Sequence, residues 1–308
     1  MATLHADELP VDLPLVRRLV NDAFPEYRSL VLVPMQDFGS SNVLFRLGDS
    51  LIVRLPRQVG GGASVDKEAT WLPYVSRNVT TAVPTVLRVG EPALGYPEHW
   101  AITSWVPGAR PPRRGARSRR HDTVALAEGI AGFLSELRAM EAPAGAADDP
   151  ALSWYRGLPL ADLDADYREA AAACRVLGVD LDIDAALRVW DRAVDASSSV
   201  ESAFAWYHGD LLRENLLVTD SGELAAVLDF GGLGIGDPTV DLVVAWDALD
   251  SAGRRVLRDA LDVDDATWTA SRGWALLLAM ITFPYYGSTM PNRCTERLAM
   301  ADAALAGV

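Results

Sequence analysis

In the first third of the chain, hydrophobic and polar residues alternate at 43–47 and 51–55, and this period of two predicts β-strands. Strands are expected at 29–33, 43–47, 51–55, 85–89 and 100–106. Gly48-Asp49, between the second and third of these, is typical of a two-residue hairpin turn. A breaker of three glycines at 60–62 precedes residues 64–75, where apolar side chains recur at helical spacing. The first part of the chain is therefore predicted to be a sheet with one helix.

Beyond residue 120 the hydrophobic period changes to that of a helix. Residues 122–140 carry one apolar stripe, and Asp122 is a suitable N-cap for it. Further helices are expected between 160 and 194 and from Pro238 to the end. One hairpin interrupts them, with strands at 215–218 and 225–228. The pattern predicts an α+β fold with a β-rich lobe at 1–104 and a helical lobe at 105–308.

Length and charge limit the classes of protein and partner. With 308 residues, the chain exceeds what one hydrophobic core usually supports, which agrees with two lobes. The formal net charge of −14 argues against nucleic acid or an anionic membrane surface as a partner, since both select basic proteins. The same charge favours a cationic small molecule by long-range attraction, although acidity also serves solubility in general.

The chain has the features of a cytoplasmic protein. Its first residues, MATLHADELPVDLP, lack the basic and apolar regions of a signal peptide. The longest apolar run, at 274–283, is much shorter than the roughly 20 residues that span a bilayer. Two cysteines, Cys174 and Cys294, form neither a disulfide framework nor a metal-binding spacing. We therefore expect a reducing compartment.

Chemically versatile side chains concentrate around the predicted hairpin, in WYHGDLLRENLLV and LAAVLDFGGLGIGDPTVDL. Asp210 and Asn215 lie five residues apart, at the two ends of a loop that enters a strand, and Asp229 follows the second strand. Phosphoryl transfer needs a carboxylate that orients the attacking hydroxyl and accepts its proton, and it needs oxygen ligands for Mg²⁺. A hairpin places Asn215 and Asp229 near each other.

The order H-G-D-x-x-x-x-N, then D-F-G, then G-D-P-x-x-D-L resembles the aminoglycoside phosphotransferase family and its macrolide-kinase relatives. That family has the bilobal protein-kinase-like fold, and the resemblance implies this fold here. It also implies that Asp210 is the catalytic base and that His208 supports the catalytic loop. Asn215 and Asp229 would be the Mg²⁺ ligands, Asp237-Pro238 would start the next helix, and Asp241 would anchor the loop.

The first lobe resembles the nucleotide-binding lobe of the same family. The strand at 51–57 resembles the one that carries the nucleotide lysine, and Arg54 stands at that position. Glu68 matches the ion-pair partner of that lysine. Lys67 is a less suitable substitute, because it would point about 100° away from Glu68 on a helix. Arginine retains the charge and binds phosphate in a bidentate manner.

Two further segments complete the expected nucleotide site. The loop 37–42 resembles the family's phosphate-covering loop, with Gly39, Ser40 and Ser41 as the expected contacts. The strand 100–106 with Pro107-Gly108 resembles the strand and hinge that receive the nucleobase, through the backbone of Ser104, Trp105 and Val106.

The resemblance implies a kinase that uses Mg²⁺ and ATP or GTP to phosphorylate a hydroxyl of an antibiotic, such as an aminoglycoside or a macrolide, as a resistance enzyme. Metabolite kinases of the choline, homoserine and fructosamine type share these motifs and remain an alternative. A nucleotide-binding pseudokinase is the other alternative, and Arg54 is the only residue in its favour, whereas Asp210, Asn215 and Asp229 argue against it. A protein kinase is disfavoured because the chain lacks an Ala-Pro-Glu segment. Monomer and homodimer both stay open. Six aromatic residues are available to an acceptor: Trp154, Trp246, Trp268, Trp274, Tyr285 and Tyr286.

Overall fold

The computed structural model describes residues 4–35, 39–112, 123–199 and 204–307. Chain contacts divide the protein into two compact units. The first consists of Met1–Arg77 and Ala82–Pro107, and the second of Asn78–Thr81 and Gly108–Val308. Asp122 and most of the arginine-rich stretch before it lie outside the described residues. Among the described residues, no helix combines the length and apolar character needed to cross a bilayer.

The first unit contains a five-stranded sheet in the order β1-β2-β3-β5-β4, with every neighbouring pair antiparallel. Its strands are β1 (Leu32–Pro34), β2 (Asn42–Leu47), β3 (Leu51–Pro56), β4 (Val86–Gly90) and β5 (Trp100–Ser104). All five predicted strands are present. Some details differ from the prediction, among them the start of β1 and the length of the first hairpin turn. β1 begins at Leu32 rather than Ser29, because Leu30 N–H still closes a turn onto Tyr27 O. Leu47 pairs with Leu51, so the hairpin turn has three residues rather than two.

Among the described residues of this unit, two α-helices accompany the sheet. The helix α1 (Leu13–Ala23) is absent from the sequence prediction, although Val16, Leu19 and Val20 are buried at helical spacing. The helix α2 (Gly62–Asn78) is longer than the predicted 64–75 and begins within the triple glycine. Glu98 explains that start, because its carboxylate accepts from the Gly60 N–H at 2.9 Å and the Gly62 N–H at 2.7 Å. A carboxylate here satisfies donors that a helix start leaves without partners.

The second unit is mainly helical. Its helices are α3 (Val124–Ala139), α4 (Asp164–Leu177), α5 (Ile183–Ser198), α6 (Val243–Asp247), α7 (Ser251–Ala260), α8 (Asp265–Tyr286) and α9 (Pro291–Ala306). The helix α8 lies in the core and packs against α4, α5 and α9. Thr123 is the N-cap residue of α3, but its hydroxyl donates to Asp250 at 2.6 Å instead of capping its own helix. The predicted helical regions are therefore confirmed, with short interruptions.

The described part of this unit contains two pairs of short strands, whereas the sequence predicts one. The predicted hairpin is β7 (Leu216–Val218) with β8 (Leu224–Val227), and Asn215 belongs to a 3₁₀ turn before it. The second pair is β6 (Ala205–Tyr207) with β9 (Gly234–Gly236). Glycine disfavours strands, so β9 gives no sequence signal. Its glycines are required by packing, since a Cβ at Gly234 would come within 2.3 Å of the Tyr207 hydroxyl oxygen.

Candidate active site

The loop that follows β6 is held in place by one buried carboxylate. Asp241 accepts from the His208 N–H at 2.7 Å and from the Gly209 N–H at 2.8 Å. Burial raises the pKa of Asp241, although the hydrogen bonds from the His208 and Gly209 N–H groups act in the opposite direction. Gly209 has a φ of +79°, and a Cβ there would lie 2.4 Å from the Gly232 carbonyl oxygen, so only glycine fits. The predicted anchoring role of Asp241 is confirmed.

Asp241 is placed by the turn that precedes α6. Asp237 is the N-cap of the 3₁₀ helix Pro238–Leu242, and its carboxylate accepts from the Thr239 N–H at 2.9 Å. Pro238 occupies the first position, where its missing N–H has no cost. The predicted start of this helix at Asp237-Pro238 is therefore confirmed.

His208 connects the loop at 208–215, which is the expected catalytic loop, to the segment after β8. Its ring is fully buried and packs edge-on against Phe230, with centroids 4.7 Å apart. Nδ1 lies 3.2 Å from the Asp210 N–H, and Nε2 lies 3.0 Å from the Leu228 carbonyl oxygen. This network assigns the tautomer with the proton on Nε2. Because both ring nitrogens are engaged with backbone, the geometry suits a residue that positions the loop rather than one that moves a proton.

Asp210 lies at the start of the loop with both carboxylate oxygens engaged. Arg156 Nη1 donates to Oδ1 in a short ion pair. Asn215 Nδ2 donates to Oδ2 at 3.0 Å and to the Asp210 carbonyl oxygen at 2.8 Å. Burial opposes ionisation, but the adjacent Arg156 guanidinium outweighs it and holds the pKa of Asp210 below its usual range. The side chain keeps 28% of its surface exposed, so this ionised carboxylate remains accessible.

Asn215 and Asp229 are brought together by the β7–β8 hairpin. The ladder continues beyond the strands, because Leu228 N–H donates to the Asn215 carbonyl oxygen at 2.8 Å. Asp229 is the next residue and has a φ of +61°, an uncommon conformation for a residue other than glycine. Since Asn215 commits its amide nitrogen to Asp210, its oxygen Oδ1 points away from that residue.

An amide oxygen beside a carboxylate is a donor set that fits Mg²⁺, which takes few protein ligands and completes its shell with water and phosphate oxygens. Clusters of three or more His, Cys, Asp or Glu side chains suited to a metal do not occur in the described ranges. A metal held here would therefore depend on Asn215, Asp229 and the nucleotide together. The residues present fit that arrangement.

In the first unit, Arg54 and Glu68 form the expected ion pair. Arg54 Nη1 donates to Glu68 Oε2 at 2.6 Å, and Nη2 donates to Oε1 at 3.1 Å. The contact is bidentate and mostly shielded, with 14% of the Arg54 side chain and 3% of the Glu68 side chain exposed. Arg54 on β3 and Glu68 on α2 are thus paired as lysine and glutamate would be, and the sequence preference for Arg54 over Lys67 agrees with this geometry.

The segments expected to hold phosphate and nucleobase belong to the same unit. Gly39 has a φ of +72°, and the Ser40 carbonyl oxygen lies 2.8 Å from His5 Nε2, whereas Asp37 and Phe38 lie outside the described residues. The Ser41 carbonyl oxygen accepts from the Arg57 N–H at 2.9 Å.

The strand β5 ends at Ser104, two residues earlier than predicted. The N–H groups of Ser104 and Trp105 donate to Thr85 O at 2.9 Å and to Ser50 O at 2.7 Å. Because both N–H groups are already bonded to carbonyl oxygens of the same unit, the N–H group that donates to a nucleobase would have to be that of Val106.

A charge network that the sequence analysis missed supports the middle of the catalytic loop. Asp247 accepts from the Arg213 N–H at 2.7 Å. Arg213 Nη2 donates to Glu296 at 2.6 Å, and Arg297 pairs with Glu214. Burial opposes the ionisation of Glu214, but the Arg297 and Arg293 charges lower its pKa. These contacts connect the loop to α6 and α9. No motif spacing in the sequence indicates this network.

Of the six aromatic residues suggested as acceptor contacts, Trp246 and Trp274 are fully buried core residues. Trp154 is half-buried and lies next to the site, because its ring supports the guanidinium of Arg156 at 4.5 Å. Arg156 is the other residue that the sequence analysis missed. It lies 54 positions before Asp210, and isolated arginines carry no signal.

Comparison with known proteins identifies the family and the fold of the chain. Residues 35–275 match the model of the phosphotransferase enzyme family, so the chain belongs to that family. Among solved structures, it resembles the GDP and kanamycin complex of an APH(2″) enzyme, with a TM-score of 0.67, 18% identity and coverage of 96% of this chain and 98% of the other.

Two macrolide kinases are similarly related. Macrolide 2′-phosphotransferase type I gives a TM-score of 0.66 at 18% identity, covering 97% of this chain and 98% of the other. A macrolide 2′-phosphotransferase from Brachybacterium faecium gives 0.60 at 20% identity, with the same coverage. No curated protein sequence matches the chain significantly. The predicted α+β kinase-like fold, the family and the assignment as a phosphotransferase with an alcohol acceptor are confirmed.

Proposed function

We propose that this protein is a small-molecule kinase that transfers the γ-phosphate of ATP or GTP to a hydroxyl of an antibiotic of the aminoglycoside, macrolide or similar class, and that it confers resistance. The observation that carries the proposal is Asp210, an accessible ionised carboxylate whose two oxygens are oriented by fixed donors. Its support from Asp241 and His208 gives the loop the rigidity that positioning requires.

In the proposed mechanism, Asp210 accepts a hydrogen bond from the acceptor hydroxyl and directs its oxygen at the γ-phosphorus. The oxygen–phosphorus bond to the acceptor forms as the bond to the nucleoside diphosphate breaks, and the hydroxyl proton passes to Asp210. Because the transition state is loose, the main contribution of Asp210 is orientation rather than early proton removal. A low pKa is compatible with that role.

The remaining predicted residues have supporting roles in the proposal. Asn215 and Asp229 hold Mg²⁺, which neutralises charge on the phosphates when it is bound. Arg54, oriented by Glu68, binds phosphate oxygens. Gly39, Ser40 and Ser41 cover the phosphates, and the backbone at 104–106 receives the nucleobase, with Val106 as donor and the Ser104 carbonyl as acceptor.

The test is a coupled turnover screen with ATP and GTP over aminoglycosides, macrolides, peptide and nucleoside antibiotics, choline, homoserine and fructosamine. Turnover of one antibiotic group, lost in Asp210→Asn while calorimetry shows unchanged nucleotide affinity, would support the proposal. Turnover confined to a metabolite would replace the antibiotic assignment with a metabolite kinase. Tight nucleotide binding without turnover of any acceptor would indicate a pseudokinase.

Substrate charge is tested in the same screen. The acidic balance of the chain favours a cationic acceptor, since the net charge is −14. A rise of KM with ionic strength for the preferred acceptor would support that expectation, and a KM that ignores salt would contradict it.

A further inference from the structure

Arg156 contacts the proposed base from a segment outside the motif. Its Nη1 donates to the Gly209 carbonyl oxygen at 2.6 Å and to Asp210 Oδ1. The guanidinium lies 4.5 Å from the ring centroid of Trp154, and only 13% of the side chain is exposed. Arg156 therefore donates both to the side chain of Asp210, the residue expected to orient the acceptor, and to the carbonyl oxygen of the preceding residue, Gly209.

The turn that contains Arg156 packs against β6, the strand that precedes the catalytic loop. Residues Tyr155–Gly157 form a 3₁₀ turn, and the Gly157 carbonyl oxygen accepts from the Asp237 N–H at 3.1 Å. A Cβ at Gly157 would lie 2.5 Å from the ring of Tyr207, which is fully buried in β6. This close approach fixes the turn relative to β6, so Arg156 and Asp210 rest on the same rigid support.

The contact pattern controls orientation without blocking the carboxylate. A carboxylate has about four lone-pair sites. Asn215 Nδ2 takes one on Oδ2 and Arg156 takes one on Oδ1, so the plane of the Asp210 carboxylate is fixed from both sides. Each oxygen retains one lone pair for an acceptor hydroxyl. Arginine suits this task because its fork is planar and its charge does not depend on pH in the working range.

We propose that Arg156 is a positioning residue for phosphoryl transfer, which holds the Asp210 carboxylate in the orientation that receives the acceptor hydroxyl. The inference rests on the proposed function, because it assigns Arg156 a part in that reaction. It predicts that losing Arg156 impairs the chemical step much more than the binding of nucleotide.

The experiment compares Arg156→Ala, Arg156→Lys and Arg168→Ala. Arg168 lies on α4, pairs with Asp164 and Asp191, and provides the same change away from the site. Two rates are measured with MgATP or MgGTP: transfer to the acceptors of the screen, and slow hydrolysis of the nucleotide by water, which needs no identified acceptor. Guanidinium chloride in the millimolar range is then added, with sodium chloride at equal ionic strength as its control.

We expect kcat of Arg156→Ala to fall about 100-fold, the scale of a misplaced catalytic group, while KM for nucleotide stays within about threefold. Guanidinium should restore part of the rate, Arg156→Lys should retain part of it, and Arg168→Ala should resemble the unmodified protein. Near-normal kcat in Arg156→Ala would overturn the proposal. So would a loss of rate that neither guanidinium nor lysine relieves, because that pattern indicates a purely structural residue.

Failure of the proposed function is recognised separately, by a folded wild-type protein that turns over no acceptor and hydrolyses no nucleotide. The orienting contact is then judged by urea unfolding of Arg156→Ala, Asp210→Ala and the double variant. Coupling of about fivefold or more in the unfolding equilibrium constant would support the contact between Arg156 and Asp210. Additive effects would overturn it.

Discussion

The anchoring carboxylate of Asp241 offers a strong test of how the catalytic loop is held. The substitution Asp241→Ala leaves the N–H groups of His208 and Gly209 without their acceptors, and both residues are buried. Hydrogen bonds to a charged group contribute about 1.5–3 kcal/mol each, which gives a loss of about 3–6 kcal/mol for the pair. Removing a carboxylate that burial destabilises offsets part of this, so we expect a net loss of about 2–4 kcal/mol.

The assay is urea unfolding followed by tryptophan fluorescence, with Asp237→Ala as the matched control. Asp237 caps the same 3₁₀ helix but does not hold the loop, so its loss should cost about 1 kcal/mol, as for other caps. Asp241→Asn retains one acceptor oxygen and should fall between the two. In a kinetic assay, Asp241→Asn should lower kcat by a larger factor than it weakens the binding of nucleotide. An Asp241→Ala variant no less stable than Asp237→Ala would refute the reasoning.

Three further predictions concern the metal, the nucleotide and the fold. Asp229→Ala should abolish turnover and the Mg²⁺ dependence of nucleotide affinity in calorimetry, and near-normal turnover would contradict the metal assignment. Arg54→Ala should weaken transfer strongly and Arg54→Lys only partly, whereas a silent Arg54→Ala together with a damaging Lys67→Ala would move the role to Lys67. Asp250 caps α7 and accepts from Thr123, and although burial opposes ionisation, the Gly253 N–H and the Thr123 hydroxyl lower its pKa. Its stabilisation is therefore present above about pH 4, the pKa of a free aspartate, and is lost as the pH falls below that value. Asp250→Ala should cost about 1 kcal/mol at pH 7 in urea unfolding and less near pH 3, and an equal cost at both would contradict this assignment.

Local patterns carried much of the fold. Alternation over β2 and the apolar stripe of α3 predicted those elements, because each buries one face and the period of that face appears in the sequence. The strand β9 escaped prediction, because Gly234 is selected by the proximity of Tyr207 and Gly236 by that of the Gly157 carbonyl oxygen, and not by strand propensity. The start of α2 escaped it too, because Glu98, more than thirty residues away, satisfies the first N–H groups.

The residues of the candidate site likewise include some that the sequence predicted and others that it did not. Asp210, Asn215 and Asp229 were predicted because the loop and the hairpin keep them at a fixed spacing, so local sequence determines their mutual arrangement. The ion pair of Arg54 with Glu68 was predicted from the resemblance of this strand and the following helix to the nucleotide-binding lobe of the family. Arg156 and the charge network of Arg213 and Glu296 were not predicted.

What the sequence by itself determined are the features encoded at short range: the helical and strand periods, the caps and turns, and the motif that orders the catalytic loop. Tertiary structure alone decided which distant charges meet that loop. Arg156 reaches Asp210 across 54 residues because the turn Tyr155–Gly157 packs on Tyr207, and Asp241 reaches the loop because the helix starting at Pro238 lies beneath it. Electrostatic and hydrogen-bond energies depend on distance in space and on burial, and neither can be read from the separation of residues along the chain.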